Sequence, residues 1–422
     1  MIYIYIIFTF VIYPFTIILP LFNKKVKKFI NIRKIDKKKI ESFLLNSENK
    51  KVIWLHAASV GELDQCKALA SEILSREPET LLIQSTFSDS VNEKSLENIQ
   101  SIIHFKLPLD FYFSYNFIFE KFSPQALILM AWDTWPNLIL AAKKHNCKVY
   151  LSCATINKKS GRNNFLIRNL TQSVFQKIDG ISPCHKIFLK EFKRITKGNV
   201  NIQVCGDSRF DAVVEKIQTQ KPSEKFIKFT EKFNSYTPII LGSTYLECED
   251  VIFPTIPELL TSFNCTIWIF PHKVHAERIQ NIQKSLEEVG IEYMIYSKLS
   301  SNEKIKRVVV MDELGLLAFA YEHSVITYIG GALHNRVHNV IEPAYFGNPI
   351  LAGPKIHNSA EALVLKKIGG LFQIQSVENT KQTIKQLLAD PFLLDQIKKQ
   401  NHEFVIQNLN ASKRFYDEFL AK

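Results

Sequence analysis

The chain has 422 residues, 46% of them hydrophobic and 22% charged, with only 14 glycines and 16 prolines. That composition excludes intrinsic disorder and a collagen-like repeat, and at ~100–200 residues per domain it predicts two or three folded domains. A formal charge of +12 admits nucleic acid, a membrane surface or acidic ligands as partners, so its position along the chain has to decide between them.

Residues 1–22 carry no charged side chain and are almost entirely Ile, Tyr, Phe, Thr, Val and Leu. As a helix at ~1.5 Å per residue this run matches a hydrocarbon core of ~30 Å. It is followed by Lys24, Lys25, Lys27, Lys28, Arg33, Lys34, Lys37, Lys38 and Lys39, opposed only by Asp36. A cleaved signal peptide carries its positive charges before the apolar run and ends in small residues, and neither holds here. The expectation is a retained anchor crossing the bilayer once, with insertion along the interface as the other outcome for a run interrupted by Pro14 and Pro20. The basic collar then places the remainder of the chain on the cytoplasmic face, against anionic headgroups. Beyond the collar no basic stripe interleaved with aromatics remains, so nucleic acid is not an expected partner. Seven scattered cysteines without a CxxC pair support neither a disulfide framework nor a zinc site.

From residue 51 short apolar runs alternate with amphipathic stretches, the pattern of βα units and a parallel sheet. Strands are predicted at Val52–His56, Leu81–Gln84, Ala126–Met130, Lys148–Ser152, Gly180–Ser182 and Ile202–Cys205. A second series follows at Ile239–Leu241, Cys265–Phe270, Arg307–Val310, Val325–Ile329 and Pro349–Leu351. The expected organisation is an apolar segment (1–22), a basic collar (23–40), an α/β domain (41–217), a polar linker (218–236), a second α/β domain (237–395) and a C-terminal helix (396–422) packing back on the first domain. In open parallel sheets ligands bind beyond the carboxyl ends of strands, so the residues just after each strand are the candidates for chemistry.

After the first strand comes His56-Ala57-Ala58-Ser59-Val60-Gly61-Glu62, a small-residue turn that places Glu62 near a helix start. The helix dipole favours its ionised form there, and a carboxylate in a cleft can act as a general base. After the third comes Met130-Ala131-Trp132-Asp133-Thr134-Trp135-Pro136-Asn137, which offers stacking surface and an oriented acceptor, or simply aromatic packing before a helix opened by Pro136. In the second half the corresponding positions hold Gly242-Ser243-Thr244, able to present N–H and hydroxyl groups to a phosphate, then Pro271-His272-Lys273 and Arg278. Six of the 14 glycines lie between Gly330 and Gly370, which suggests backbone held close to a ligand. Gly330-Gly331 ends a strand, and His338-Asn339-x-x-Glu342-Pro343 opens a helix whose glutamate could hold sugar hydroxyls.

Together these motifs, with Trp-Pro-Asn-Leu at 135–138 and Gly-Asp-x-Arg-Phe-Asp at 206–211, resemble the 3-deoxy-D-manno-octulosonic acid (Kdo) transferases of bacterial lipopolysaccharide assembly, in order and over nearly the whole chain. The resemblance implies a GT-B architecture: an α/β fold of two facing Rossmann-like domains plus the N-terminal anchor helix, at the bacterial inner membrane. It implies an inverting, metal-independent glycosyltransferase without a cofactor, with CMP-Kdo as donor co-substrate and the lipid A precursor as acceptor. Glu62 would be the catalytic base. Ser59, Gly61, Asp133, Trp135 and Asn137 would serve the acceptor, and Ser243, Thr244, Pro271, His272, Lys273, Gly330, Gly331, His338, Asn339 and Glu342 the donor. Ala131 and Asp133 stand where the family commonly has two glutamates, Pro271-His272-Lys273 where many members have Pro-Arg-His, and Val337 where glycine is frequent. Two other readings stay open: a GT-B transferase using a UDP-sugar on another lipid-linked acceptor, and an inactive membrane-tethered binding protein of the same fold.

Overall fold

A run such as Val52-Ile53-Trp54-Leu55 has no polar face, and a strand of that kind is stable only when both faces are covered, as in a parallel sheet under helices. The structure, a computed structural model, describes residues 1–33, 40, 50–89, 91, 94–96, 100–156, 165–299, 304–357 and 359–421. It divides into two units, Met1–Ala212 with Leu409–Lys422, and Val213–Asn408. The first holds a sheet of β1 (Val52–Ala57), β2 (Leu81–Thr86), β3 (Ile103–Lys106), β4 (Ala126–Met130), β5 (Lys148–Ala154), β6 (Gly180–Pro183) and β7 (Asn201–Ile202), in the order β3-β2-β1-β4-β5-β6-β7. The second holds β8 (Thr237–Thr244), β9 (Cys265–Pro271), β10 (Met294–Ile295), β11 (Val308–Val310), β12 (Ile326–Ile329), β13 (Ile350–Ala352) and β14 (Leu371–Gln373), in the order β10-β11-β9-β8-β12-β13-β14. All pairings in both sheets are parallel.

Both sheets are doubly wound. Each starts in its middle, grows to one side and then returns past its first strand, so the order reverses between β1 and β4 and between β8 and β12. Loops diverge at such a point and leave a crevice at the carboxyl ends of the two strands. The four sequence motifs rich in candidate residues leave the sheets at these ends: 56–62 after β1, 131–137 after β4, 242–244 at the end of β8 and 330–331 after β12.

The stretch 218–236, expected as a linker, belongs to the second unit and contains the helix Glu224–Glu231. Its polar residues lie on one face; on the other, Phe226 and Phe229, with Phe233 beyond, pack around the buried Trp268. The expected C-terminal helix is two helices. Pro391–Asn408 goes with the second unit, the chain turns at Asn410 (φ 64°), and Ala411–Phe419 goes with the first. There Asp211 accepts hydrogen bonds from the backbone N–H of Asn410 (2.6 Å) and Ser412 (2.8 Å), while Phe415 and Phe419 pack on Tyr150. Residues 2–22 form one helix through Pro14 and Pro20, long and apolar enough by length and composition to cross a membrane. Collar residues 34–39 lie outside the described residues.

Candidate active site

The candidate residues fall into two groups, one in each unit. In the first, Ser59 has extended backbone and the helix Val60–Arg76 begins after it, with Glu62 in its first turn. One carboxylate oxygen of Glu62, Oε2, accepts from the N–H groups of Ala58 (2.6 Å) and Ser59 (3.0 Å), so the side chain folds back over the turn that follows β1. Burial and the nearby Asp133 carboxylate raise the pKa of Glu62 above the ordinary carboxylate value, against the two N–H groups and His56, which pull it down. The group is thus a stronger base than a surface glutamate while its orientation is fixed.

Asp133, across the switch point on the loop after β4, ends a buried chain of hydrogen bonds. Trp54 Nε1 donates to Ser85 Oγ (2.7 Å), Ser85 Oγ lies 2.8 Å from His56 Nδ1, and His56 Nε2 lies 2.8 Å from Asp133 Oδ2. A carboxylate only accepts, so this pairing puts the imidazole hydrogen on Nε2. The same Asp133 oxygen accepts Trp135 Nε1–H at 2.9 Å, and the Trp135 ring lies 4.7 Å from that of Phe87. Trp132 is exposed beside this loop. Sequence reading placed His56 in the motif but gave it no role, and missed Ser85, because their partners come from different strands.

Two expected acceptor residues have other duties. Asn137 is fully buried; its side chain donates to the Asp110 carbonyl (2.6 Å) and to Thr9 Oγ1 (3.3 Å), which makes it a brace rather than a ligand contact. Gly61 is exposed, and a Cβ there would meet nothing within 4 Å, so no close approach demands glycine. The Gly206-to-Asp211 motif is also a brace. Buried Asp207 accepts from Arg209 and from Gln65 Nε2 (2.9 Å), which tethers the helix carrying Glu62.

In the second unit β8 ends in an irregular turn where Ser243 adopts φ 54°. The Thr244 hydroxyl, expected to face a phosphate, is buried and donates to Glu249 Oε1 (2.9 Å). Glu249 is buried and also accepts from Arg278 Nη2, so these residues form an internal ion pair beneath the loop. Pro271 is likewise buried as the last residue of β9. The glycine pair follows from backbone packing: a Cβ on Gly330 would stand 1.9 Å from the Ser243 carbonyl oxygen, and Gly331 has φ 92° with the Arg336 carbonyl 2.3 Å from a would-be Cβ. The expected approach to a ligand is, in the structure, an approach of β12 to β8.

What the crevice presents instead is a stack of rings that sequence reading only partly anticipated. Tyr245 lies between His272 (4.8 Å) and His334 (5.1 Å), its hydroxyl is 3.0 Å from His338 Nε2, and His272 stacks on His338 at 4.6 Å. Burial, with His272 and Arg336, pushes His338 down to about 4, and burial with Lys273 lowers His272. At neutral pH the His272 and His338 rings are therefore uncharged, polar and flat, with exposed Lys273 beside them. Asn339 Oδ1 accepts from Ile341 N–H (2.9 Å) and holds the short helix Ile341–Tyr345, which presents Glu342 within 3.8 Å of Lys216. Among the described residues no group of His, Cys, Asp and Glu is arranged to hold a metal ion.

Residues 33–212 match the family described as 3-deoxy-D-manno-octulosonic-acid transferase (kdotransferase). The 3-deoxy-D-manno-octulosonic acid transferase of Chlamydia muridarum is 26% identical over 347 residues, covering 80% of this chain and 78% of that protein. By sequence the chain is similar to Kdo transferases over most of its length. A bifunctional glycosyltransferase/methyltransferase of Fusobacterium nucleatum is 25% identical over 385 residues, and the match spans 88% of this chain but 57% of that protein's length. The two-sheet GT-B fold of this chain is shared with the UDP-GlcNAc 2-epimerase of Neisseria meningitidis, at a TM-score of 0.63 and 14% identity over 88% of this chain and 100% of that one. These Kdo transferase homologues indicate a glycosyltransferase.

Proposed function

We propose that the chain moves Kdo from CMP-Kdo to a hydroxyl of the lipid A precursor at the cytoplasmic face of a bacterial inner membrane, with Glu62 as general base. The observation that carries the reading is the raised, backbone-held carboxylate of Glu62 at the switch point of the first sheet. Glu62 takes the acceptor hydroxyl proton as that oxygen bonds to the anomeric carbon; the bond from that carbon to the phosphate oxygen breaks, and the electron pair leaves with CMP. Attack opposite the leaving group inverts the centre. His56 and Trp135 hold Asp133 in place, and its negative charge keeps Glu62 basic. On the donor side Lys273 meets the phosphate, and the neutral stack of His272, Tyr245 and His338 offers flat faces and nitrogen acceptors to the nucleotide. Ser243, Asn339 and Glu342 complete the donor contacts.

The test is incubation of the purified chain with CMP-Kdo and a tetraacylated lipid A precursor. CMP release with formation of a Kdo-bearing lipid is expected. No release, or thermal stabilisation by UDP and not by CMP, sinks the assignment.

A further inference from the structure

The sequence alone favours a helix that crosses the bilayer, but the contacts of Ile2–Phe22 do not allow it. Tyr5 donates from its hydroxyl to Asp110 Oδ2 (2.9 Å), and Thr9 accepts from Asn137 Nδ2 (3.3 Å). Tyr13 packs edge-on against Phe111 (5.1 Å) and Phe113 (4.9 Å). The first half of the helix is thus fastened along the first unit. Beyond the following helix, Lys24–Asn31, the chain is fastened to that unit again. Arg33 is 4% exposed, donates to the Phe87 carbonyl (2.5 Å) and to Asp89 Oδ1 (3.0 Å), and lies over the Phe87 ring. A perpendicular helix separates its two ends by a hydrocarbon core of ~30 Å. Tyr5, in the first turn of the helix, and Arg33, beyond its C-terminal end, both bond to one folded unit, which cannot stand on both sides of a membrane.

The pattern around the helix agrees. At 3.6 residues per turn, the docked positions Ile2, Tyr5, Thr9 and Tyr13 fall on one face. Ile4, Ile7, Val11, Phe15, Ile18 and Phe22 fall on the opposite face and are all exposed. Such an apolar face needs an occupant, and the four exposed lysines that follow it, Lys24, Lys25, Lys27 and Lys28, complement anionic headgroups.

We infer that Ile2–Phe22 lies in the plane of one leaflet of a phospholipid bilayer, with the face through Ile4, Val11 and Phe15 in the acyl region and the opposite face bolted to the first unit. This reading does not depend on the proposed acceptor. Asp110 also accepts from the N–H groups of Asn137 and Leu138 (both 3.1 Å), at the start of the helix that follows Trp135, so the lipid-embedded helix and the Asp133 loop share one buried carboxylate.

The experiment fuses a short water-soluble tail with one cysteine ahead of Met1 in the full chain and applies a membrane-impermeant maleimide to bacterial membranes of known sidedness. The seven native cysteines are all buried, so the tail alone reports. Labelling is expected in inverted inner-membrane vesicles, the side on which protease reaches both units, and not in intact spheroplasts. Labelling from the opposite side overturns the inference, and so does labelling from neither, because an in-plane helix leaves the tail in water. Spin labels at Ile4→Cys, Val11→Cys and Ile18→Cys in anionic liposomes should report one common shallow depth; a maximum at Val11→Cys, with shallow ends, also overturns it. Both readouts are of position, so a failure here is distinguishable from failure of the transferase assignment, which is read by turnover.

Discussion

Replacement of Glu62 by glutamine separates chemistry from folding more cleanly than any other change in the first unit. One oxygen, Oε2, accepts both backbone N–H bonds, at 2.6 and 3.0 Å. Glutamine retains an oxygen that can occupy that position, so the start of the helix Val60–Arg76 keeps its partner and stability should change by no more than about 1 kcal/mol. Loss of a partly buried negative charge beside Asp133 works in the stabilising direction, because burial and that neighbour already disfavour the ionised form. Turnover should nonetheless fall by roughly 10²–10⁴-fold, the range for loss of a general base, which corresponds to about 3–5 kcal/mol at the barrier. CMP release at saturating donor gives the rate, circular dichroism melting gives the folded fraction, and stabilisation by CMP checks that the proposed nucleotide site is intact. A variant that turns over within threefold of the parent would remove Glu62 from the mechanism. A melting midpoint lowered by more than about 4 °C, beyond what ~1 kcal/mol produces in a unit of this size, would show that the carboxylate is chiefly a helix cap.

Four further outcomes are expected. Asp133→Asn removes a charge that raises the Glu62 pKa, so the acid limb of the kcat/KM profile should move to lower pH; an unmoved limb, or one moved upward, refutes the coupling. The folded value of His338 is about 4, below the ~6.5 of an unfolded histidine, so its contribution to stability is present above pH ~6.5 and lost as pH falls towards 4. His338→Gln should therefore flatten the fall in stability of the second unit between pH 7 and 4.5, measured by urea titration at each pH. A Cβ at Gly180 would sit 2.4 Å from the Phe419 ring, so Gly180→Ala should cost about 1–3 kcal/mol, Phe419→Ala about 3–5 kcal/mol, and the pair less than the sum, by chemical denaturation. Arg278→Ala leaves Glu249 charged and buried, which should cost about 3–5 kcal/mol. The loss should be smaller at pH 5 than at pH 8, since burial already raises the Glu249 pKa and the unpaired carboxyl is tolerated only when protonated.

The alternation of apolar runs with amphipathic stretches was enough to locate most strands, because a parallel strand is buried on both faces and so reads as a continuous apolar run. It failed at β3, β10 and β14. Ile103-His104-Phe105-Lys106 carries polar side chains at a sheet edge, and β10 and β14 are short strands at the two edges of the second sheet. The helix Glu224–Glu231 did carry a readable signal, Phe226, Phe229 and Phe233 at helical spacing, which its polar flank obscured. At the candidate site the individual motifs were legible, but their combination was not. His56 and Asp133 meet only because β1 and β4 are neighbours, a consequence of strand order that residue spacing does not encode. Thr244 and Asn137 misled for a related reason: polar residues in a strand-end motif look like ligand contacts, and only burial reveals that they bond inward. Tyr5 reads as one more member of an apolar run, and only the fold brings Asp110 to its hydroxyl.

The division of the chain has a bearing on how the molecule is made. Residues 409–422 belong to the unit that contains the N-terminal residues, with all of Val213–Asn408 in between. On the ribosome, the first sheet emerges early, and until the helix Ala411–Phe419 arrives the surface around Tyr150 and Gly180 lacks its aromatic cover. The second unit can therefore finish before the first. A chain interrupted between Asn408 and Phe419 would carry a whole second unit and a first unit without this cover, a product open to quality-control proteases.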